Sequence, residues 1–258
     1  MTTFSRADGF VSIPRVQEYV EAGEAVNVTL LGHGVAPADL VAIGSHCVGL
    51  DLILGRLAEE GLKSKTLWVG SQGGLLAAAR GECDVAGVHL LDPATDTYNV
   101  PFLPEGVRLV RGYDRMQGLV FRPGDPRFEG RDVAEALARA LADPACLMVN
   151  RNRGSGTRVL LDGLLAGQRP PGATVEVRSH NAVAAAVAQH RADWGVAIAP
   201  VARMYRLAFT PVRVERYDFA VPASRYDRAA VARFRAILAD DETRQALADL
   251  GFTRGNPE

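Results

Sequence analysis

The sequence predicts an α/β fold in which two lobes, built on parallel strands, enclose a cleft. From Leu40 onward, apolar strand-like runs alternate with helix-like segments, a pattern typical of parallel sheets covered by helices. Four of these transitions pass through a turn that carries Ser or Gly. A weak internal similarity between the two halves of the chain is the third observation, and it indicates two lobes of similar build.

Composition restricts the classes of function. Hydrophobic residues make up 48% and charged residues 23% of the 258 residues, which is ordinary for a globular protein. The net charge of −1 provides no general attraction for nucleic acid or for anionic membranes. The three cysteines are widely spaced and form neither a disulfide framework nor a zinc motif. We find no secretory signal and no apolar run long enough to span a membrane, so we expect a cytoplasmic protein.

The first elements form a short β segment. Residues 9–14 and 25–31 have the composition of two strands, and the polar residues 21–24 form the turn between them. Residues 32–37, which include Pro37, then act as a hinge into the main body. This segment is too short to be a domain by itself.

Helices follow the strand-like runs in the rest of the chain. Their predicted bounds are 48–60, 74–80, 133–142, 157–166, 182–189 and 229–250. In the C-terminal helix the apolar residues recur at steps of three and four, and Gly251 is placed to end it as the C′ residue.

The internal similarity lies between residues 71–88 and 179–198. In each, a Ser opens a helix rich in small apolar residues, and an Asp-bearing turn then leads into a buried strand. We expect Asp84 and Asp193 to accept backbone hydrogen bonds in these turns. Residues 109–112 and 209–217 are the candidate crossings between the lobes. Two crossings leave a cleft where the strands end, which is where open α/β sheets bind ligands.

The four turns predict an anion site. Each places a hydroxyl or bare backbone at a helix N-terminus, where free N–H groups and the helix dipole favour a negative charge. The third turn also carries Arg153. The candidate ligand-binding residues are Ser45, His46, Ser71, Gly73, Arg153, Gly154, Ser155, Gly156, Thr157, Ser179 and His180. The alternative for each Ser or Thr is ordinary helix capping, and Arg158 can instead pair with Asp162.

Several segments together resemble a known family. They are residues 70–74, 86–92 with 98–99, 117–119, 152–158 and 179–183. Together they resemble a type II periplasmic-binding-protein domain of the kind fused to molybdopterin molybdenumtransferases, and the Gly-Ser-Gly-Thr-Arg turn also occurs in LysR-type effector domains. Residues 1–32 are similar to the end of the transferase C-terminal β domain. The resemblance implies one lobe from residues 33–112 plus 205–258 and another from 113–204.

The expected function is binding without catalysis. The turns predict a small oxyanion as ligand, and the resemblance implies molybdate or tungstate, sensed or delivered for molybdenum cofactor biosynthesis, with proteins of that pathway as partners. The four turns contain no Asp or Glu to accept a proton, which favours a fully deprotonated dianion. No transferase catalytic domain, cofactor, metal, nucleic acid or membrane partner is expected. The alternatives are a regulator domain for a small organic anion, and an enzyme acting on a phosphate-bearing or pterin ligand.

Overall fold

In the computed structural model, the chain divides into a small unit, Met1–Asp39, and a larger one, Leu40–Glu258. The structure describes residues 7–21, 23–32, 36–153 and 155–253. In the small unit, strands β1 (Gly9–Val11) and β2 (Val28–Leu30) pair antiparallel, as the composition predicted. Both are shorter than predicted. Ala22 of the predicted turn and residues 33–35 of the predicted hinge lie outside the described residues.

The larger unit alternates strands and helices. Its strands are β3 (Leu40–Gly44), β4 (Ser64–Trp68), β5 (Ala86–Val88), β6 (Leu91–Asp92), β7 (Thr97–Tyr98), β8 (Val107–Phe121), β9 (Met148–Arg151), β10 (Glu176–Val177), β11 (Trp194–Ile198) and β12 (Ala208–Pro222). Its helices are α1 (Val48–Glu59), α2 (Gly70–Ala79), α3 (Val133–Ala142), α4 (Gly156–Leu165), α5 (His180–Ala188), α6 (Ala199–Met204), α7 (Ala229–Ala239) and α8 (Asp241–Leu250).

Two long strands connect the halves of this unit. β8 and β12 pair antiparallel along nearly their whole length, inside a six-stranded sheet of order β10-β9-β11-β8-β12-β5. They contain the two predicted crossings. β9 pairs parallel with β10 and β11, and β3 pairs parallel with β4. The larger sheet is therefore mixed and not wholly parallel, because the crossing strands run in opposite directions. The predicted lobe boundaries stay a prediction.

Local sequence signals account for most helix bounds. α3 matches its prediction, and Asp132 caps it by accepting a hydrogen bond from the Glu135 N–H at 2.8 Å. The predicted helix 229–250 is instead two helices. Asp240 has an extended backbone with ψ of 138°, and its side chain accepts from the Thr243 N–H at 2.9 Å. The apolar period continues across this break, and so periodicity alone did not show it. Gly251 ends α8 with φ of +95°, as predicted.

The two predicted Asp turns have the same role in both halves. Asp84 accepts a hydrogen bond from the Val41 N–H at 2.8 Å, and Asp193 accepts one from the Leu147 N–H at 2.8 Å. Each carboxylate also pairs with arginine, Asp84 with Arg228 and Asp193 with Arg122. These aspartates therefore fix the start of β3 and of the β9 region. The prediction that they accept backbone hydrogen bonds is confirmed.

Separate buried apolar clusters pack along the crossing strands. One joins α1, α7 and α8 around Phe219 and Phe234, and another surrounds Trp194 and Phe128. Within the described part of the chain, no helix has both the length and the apolar character that crossing a membrane requires.

Candidate functional site

Ser45 and Ser71, from the first two turns, meet at His89. Ser45 directly follows β3, and its Oγ lies 2.8 Å from His89 Nε2. Ser71 belongs to the first turn of α2, which begins at Gly70 and so four residues before its predicted start. Its Oγ accepts a hydrogen bond from the His89 N–H at 3.1 Å. All three residues are buried, and His89 follows β5 immediately.

The third turn reaches the same place from the other half of the chain. A Cβ atom added to Gly156, the first residue of α4, would lie 3.2 Å from His89 Nδ1 and 3.3 Å from Glu215 Oε1. Contacts this short require the neighbours to shift. The bare backbone of Gly156 therefore allows the α4 N-terminus to approach His89 and Glu215 closely.

Arg115 and Glu215 join this cluster from the two crossing strands. They are directly opposite in the β8–β12 ladder, and Arg115 Nε donates to Glu215 Oε2 at 2.6 Å. The other carboxylate oxygen of Glu215 lies 2.7 Å from His89 Nδ1. Burial raises the pKa of Glu215, but the positive charge of Arg115 and the hydrogen bonds outweigh burial and lower it to about 2. Glu215 is therefore ionised at neutral pH.

Arg151 and His180 form the fourth part of the cluster. Arg151, the last residue of β9, is buried, and its Nη1 lies 3.2 Å from Nδ1 of His180 at the start of α5. Burial, together with the charge of Arg115, lowers the pKa of Arg151 to about 10. Burial and the Arg151 charge likewise hold the pKa of His180 well below its ordinary value. His180 is therefore neutral.

Among the described residues, several buried polar atoms in and beside this cluster have no hydrogen-bond partner. The atoms that can donate are Arg115 Nη1, Arg115 Nη2, Arg151 Nε and Thr157 Oγ1, and Gln117 Oε1, two residues further along β8 than Arg115, can only accept. Buried polar groups in proteins are nearly always hydrogen-bonded, and buried charges are compensated. Two guanidinium charges face one carboxylate here, which leaves one positive charge uncompensated. The arrangement is suited to a small anion that accepts hydrogen bonds.

The other predicted residues have different surroundings. Ser155 and Ser179 cap their own helices, accepting from the Arg158 and Ala182 N–H groups at 3.2 and 3.1 Å. His46 Nε2 lies 2.7 Å from Asp51 Oδ2, and the alternative pairing of Arg158 with Asp162 is present, with Nε donating at 2.7 Å.

The neighbours that the structure gives for Gly73 and Arg153 are other residues. Gly73 lies within α2, where a Cβ would meet the Val69 side chain at 2.8 Å. Arg153 is 88% exposed, with its Nε 3.9 Å from Glu176 Oε1. Gly154 lies outside the described residues. Ligand contact by any of the predicted residues stays a prediction.

Sequence reasoning missed Arg115, Gln117, His89 and Glu215 as site residues. None of them belongs to a Ser- or Gly-bearing turn. One signal was available, since Arg115 and Gln117 alternate within a strand that is otherwise apolar toward Phe121, and alternate residues share a face. Within the described ranges, no group of three or more His, Cys, Asp or Glu is placed to hold a metal ion.

Known proteins share this fold. The chain is 32% identical over 196 residues to the uncharacterized protein YvgK of Bacillus subtilis, which covers 70% of the chain and about 60% of that relative. A phosphate transport receptor of the ABC type from Vibrio cholerae has a TM-score of 0.58 at 13% identity, covering 84% of this chain and 100% of that one. The tungstate-binding protein TupA from Desulfovibrio alaskensis has a TM-score of 0.55 at 17% identity, and the match covers 84% of this chain and 99% of TupA. OxyR from Corynebacterium glutamicum has a TM-score of 0.57 at 17% identity, and the match covers 81% of this chain and 65% of OxyR.

Two family matches divide the chain as the resemblance implied. Residues 1–31 match the MoeA C-terminal region, domain IV, and residues 54–239 match the PBP superfamily domain. The likeness to solved structures places the larger unit among two-lobed folds of the periplasmic-binding-protein type. The chain belongs to the PBP superfamily, with a segment of the MoeA domain IV type at its start.

Proposed function

We propose that the buried cluster around Arg115, Arg151, His89 and Glu215 binds one small tetrahedral oxyanion and carries out no reaction on it. The observation that carries the proposal is the set of buried guanidinium N–H groups on Arg115 and Arg151 that find no partner within the described part of the chain. Charge-assisted hydrogen bonds to such groups are roughly twice as strong as neutral ones. The N-termini of α4 and α5 lie at the same cluster and add favourable backbone dipoles.

We propose molybdate or tungstate as the ligand. The segment of the MoeA type supports this choice, and so does the likeness of the fold to a tungstate-binding protein. The role would be cytoplasmic, sensing the anion or delivering it to proteins of molybdenum cofactor biosynthesis. A phosphate transport receptor shares the fold equally well, so phosphate is the competing oxyanion. A small organic anion remains the alternative from the sequence.

The test is parallel calorimetric titration of the purified chain with molybdate, tungstate, sulfate and phosphate. We expect saturable binding of one anion per chain, with molybdate and tungstate tighter than the other two. Tighter binding of phosphate would contradict the choice of metal oxyanion but not the anion site. No binding of any of the four would refute the oxyanion proposal and favour an organic ligand.

One observation favours a second candidate, an enzyme. Ser45, His89 and Glu215 form a hydroxyl–imidazole–carboxylate chain with distances of 2.8 and 2.7 Å, and this arrangement activates serine nucleophiles in hydrolases. In that case Ser45 would attack an acyl ester, its proton would pass through His89 to the leaving alcohol, and water would release the acid. Turnover of activated acyl esters that is lost in Ser45→Ala would support the enzyme.

A further inference from the structure

The hydrogen-bond chain from Ser45 to Arg115 has only one consistent arrangement of protons when His89 is neutral. Glu215 is an ionised carboxylate and accepts only, so His89 Nδ1 must carry the proton that it donates to Glu215. The opposite ring nitrogen, Nε2, is then an acceptor. The Ser45 hydroxyl, 2.8 Å away, must therefore donate its proton to His89.

Neutral His89 fits its surroundings in the ligand-free protein. Burial lowers the pKa of His89, the nearby charges of Arg115 and Arg151 lower it further, and only Glu215 opposes them. The Tyr217 ring stacks on the imidazole at a centroid distance of 6.0 Å, and neutral His180 lies beyond Arg151. Burial, assisted by the two arginine charges, thus lowers the pKa of His89 and favours its neutral form while no anion is bound.

The direction of the Ser45 hydroxyl opposes the binding of a deprotonated anion beside it. The proton of Ser45 is already engaged, so the hydroxyl presents only lone pairs to an incoming oxygen. The oxygens of a fully deprotonated oxyanion are also acceptors only, so the Ser45 oxygen would repel the nearest of them. A second proton on His89 removes the conflict, because Nε2–H can then donate to Ser45 Oγ and the Ser45 hydroxyl can turn toward the anion.

The site provides a place for that proton on His89 and not on His180. Both nitrogens of His89 face groups that can accept a hydrogen bond, a carboxylate and a hydroxyl. His180 Nδ1 faces Nη1 of Arg151, which can only donate, so protonating that nitrogen would break the contact. The net charge of the site also favours uptake of one proton. Arg115, Arg151 and Glu215 together carry a charge of +1. A dianion changes it to −1, and one proton makes the site neutral.

We propose that a fully deprotonated tetrahedral dianion binds together with one proton, which His89 takes up while the Ser45 hydroxyl reverses its direction. This inference rests on the proposed function of the same site. It makes Ser45, His89 and Glu215 a proton-accepting part of the binding site. It also predicts that affinity depends on pH. Between the pKa of His89 in the free protein and its higher pKa in the complex, the dissociation constant should rise up to tenfold for each pH unit of increase.

Calorimetry can count the proton. Molybdate and tungstate are titrated into the chain from pH 6.5 to 9, at each pH in two buffers of different ionisation enthalpy, since the difference in heat gives the number of protons taken from buffer. Phosphate is left out of this count because it titrates in the same range. We expect uptake that approaches one proton per anion, together with weaker binding as the pH rises.

Two matched variants locate the proton. His89→Gln, which cannot take up a proton there, should bind more weakly, with uptake near zero and affinity that does not change with pH. His180→Gln changes the other buried histidine of the cluster, and whatever it does to affinity, the uptake per bound anion should stay near one proton. Nitrogen NMR of the wild-type histidine rings needs no variant, and one of the five rings should change from singly to doubly protonated when molybdate is added.

The outcomes separate the inference from the proposed function. Binding of molybdate or tungstate without proton uptake overturns the inference and leaves the anion site intact. Uptake that persists in His89→Gln, or no change of any ring in the NMR spectrum, also overturns it. Absence of binding by both anions refutes the proposed ligand and this inference with it.

Discussion

Replacing Arg151 with glutamine should weaken anion binding strongly and change the stability of the ligand-free chain little. Burial lowers the pKa of Arg151 from its ordinary value to about 10. One pKa unit corresponds to about 1.4 kcal/mol, so the charged folded form is disfavoured by about 3 kcal/mol. This cost is present at all pH values below about 10, because there the guanidinium is charged in both the folded and the unfolded chain. The ligand-free protein therefore carries a penalty that a bound anion would relieve.

The size of the effect follows from what the variant loses. Arg151 Nη1 contacts His180 Nδ1 at 3.2 Å, and Nη2 donates to the Arg178 carbonyl at 3.3 Å. A hydrogen bond from a charged group contributes roughly 1.5 kcal/mol or more, so the two lost contacts offset the relieved cost of burial. Arg151→Gln should therefore leave the stability of the ligand-free chain within about 1 kcal/mol of wild type. For a protein of this size, the melting temperature should therefore change by no more than roughly 2–4 °C. Molybdate affinity should fall by about ten- to a hundredfold, because a charge-assisted hydrogen bond is lost.

The assay combines thermal melts without anion and calorimetric titration with molybdate. Arg153→Gln is the matched control, because Arg153 has the same charge in the same segment but is 88% exposed, and we expect it to change neither measurement appreciably. If Arg151→Gln lowers the melting temperature and leaves the affinity unchanged, then Arg151 is a structural residue. If Arg153→Gln instead abolishes binding, the sequence prediction for that residue is right and the buried cluster is not the site.

Three further predictions follow from single contacts. Gly156→Ala should weaken anion binding, since its Cβ would lie 3.2 Å from His89 Nδ1. Gly163→Ala is the control in the same helix, because open space surrounds that position. It should stabilise α4 by roughly 0.5–1 kcal/mol and leave the calorimetric anion titrations unchanged. Glu215→Gln should destabilise the fold at pH 6, and denaturant unfolding should show the difference from wild type shrinking as the pH falls from about 4.5 toward 2. The pKa of Glu215 is lowered from 4.5 to about 2, so its carboxylate contributes its full stability above about pH 4.5 and loses it as the pH falls toward 2. Asp240→Ala should cost roughly 1 kcal/mol in the same assay by removing the α8 cap, and an unchanged midpoint would show that the cap is dispensable.

The sequence by itself determined the features that depend on neighbours a few residues apart. α3 has the predicted bounds because Asp132 caps it and its apolar residues follow the helical period. Ser155 and Ser179 begin their helices by the same local rule, and Gly251 ends α8 because it adopts a positive φ. The α/β class followed from such signals, since capping and periodicity act within one or two turns of chain.

The tertiary structure alone decided which charged residues form the candidate site. Arg115 and Glu215 are one hundred residues apart in sequence and face each other only because β8 and β12 pair in one register. A strand reverses the face of its side chains at every residue, and so a small change in that register would separate the pair. Local sequence likewise could not show that Arg151 is buried while Arg153 is exposed, because the partners of β9 come from distant parts of the chain. Burial and long-range register determine where charge accumulates, and both depend on the whole fold.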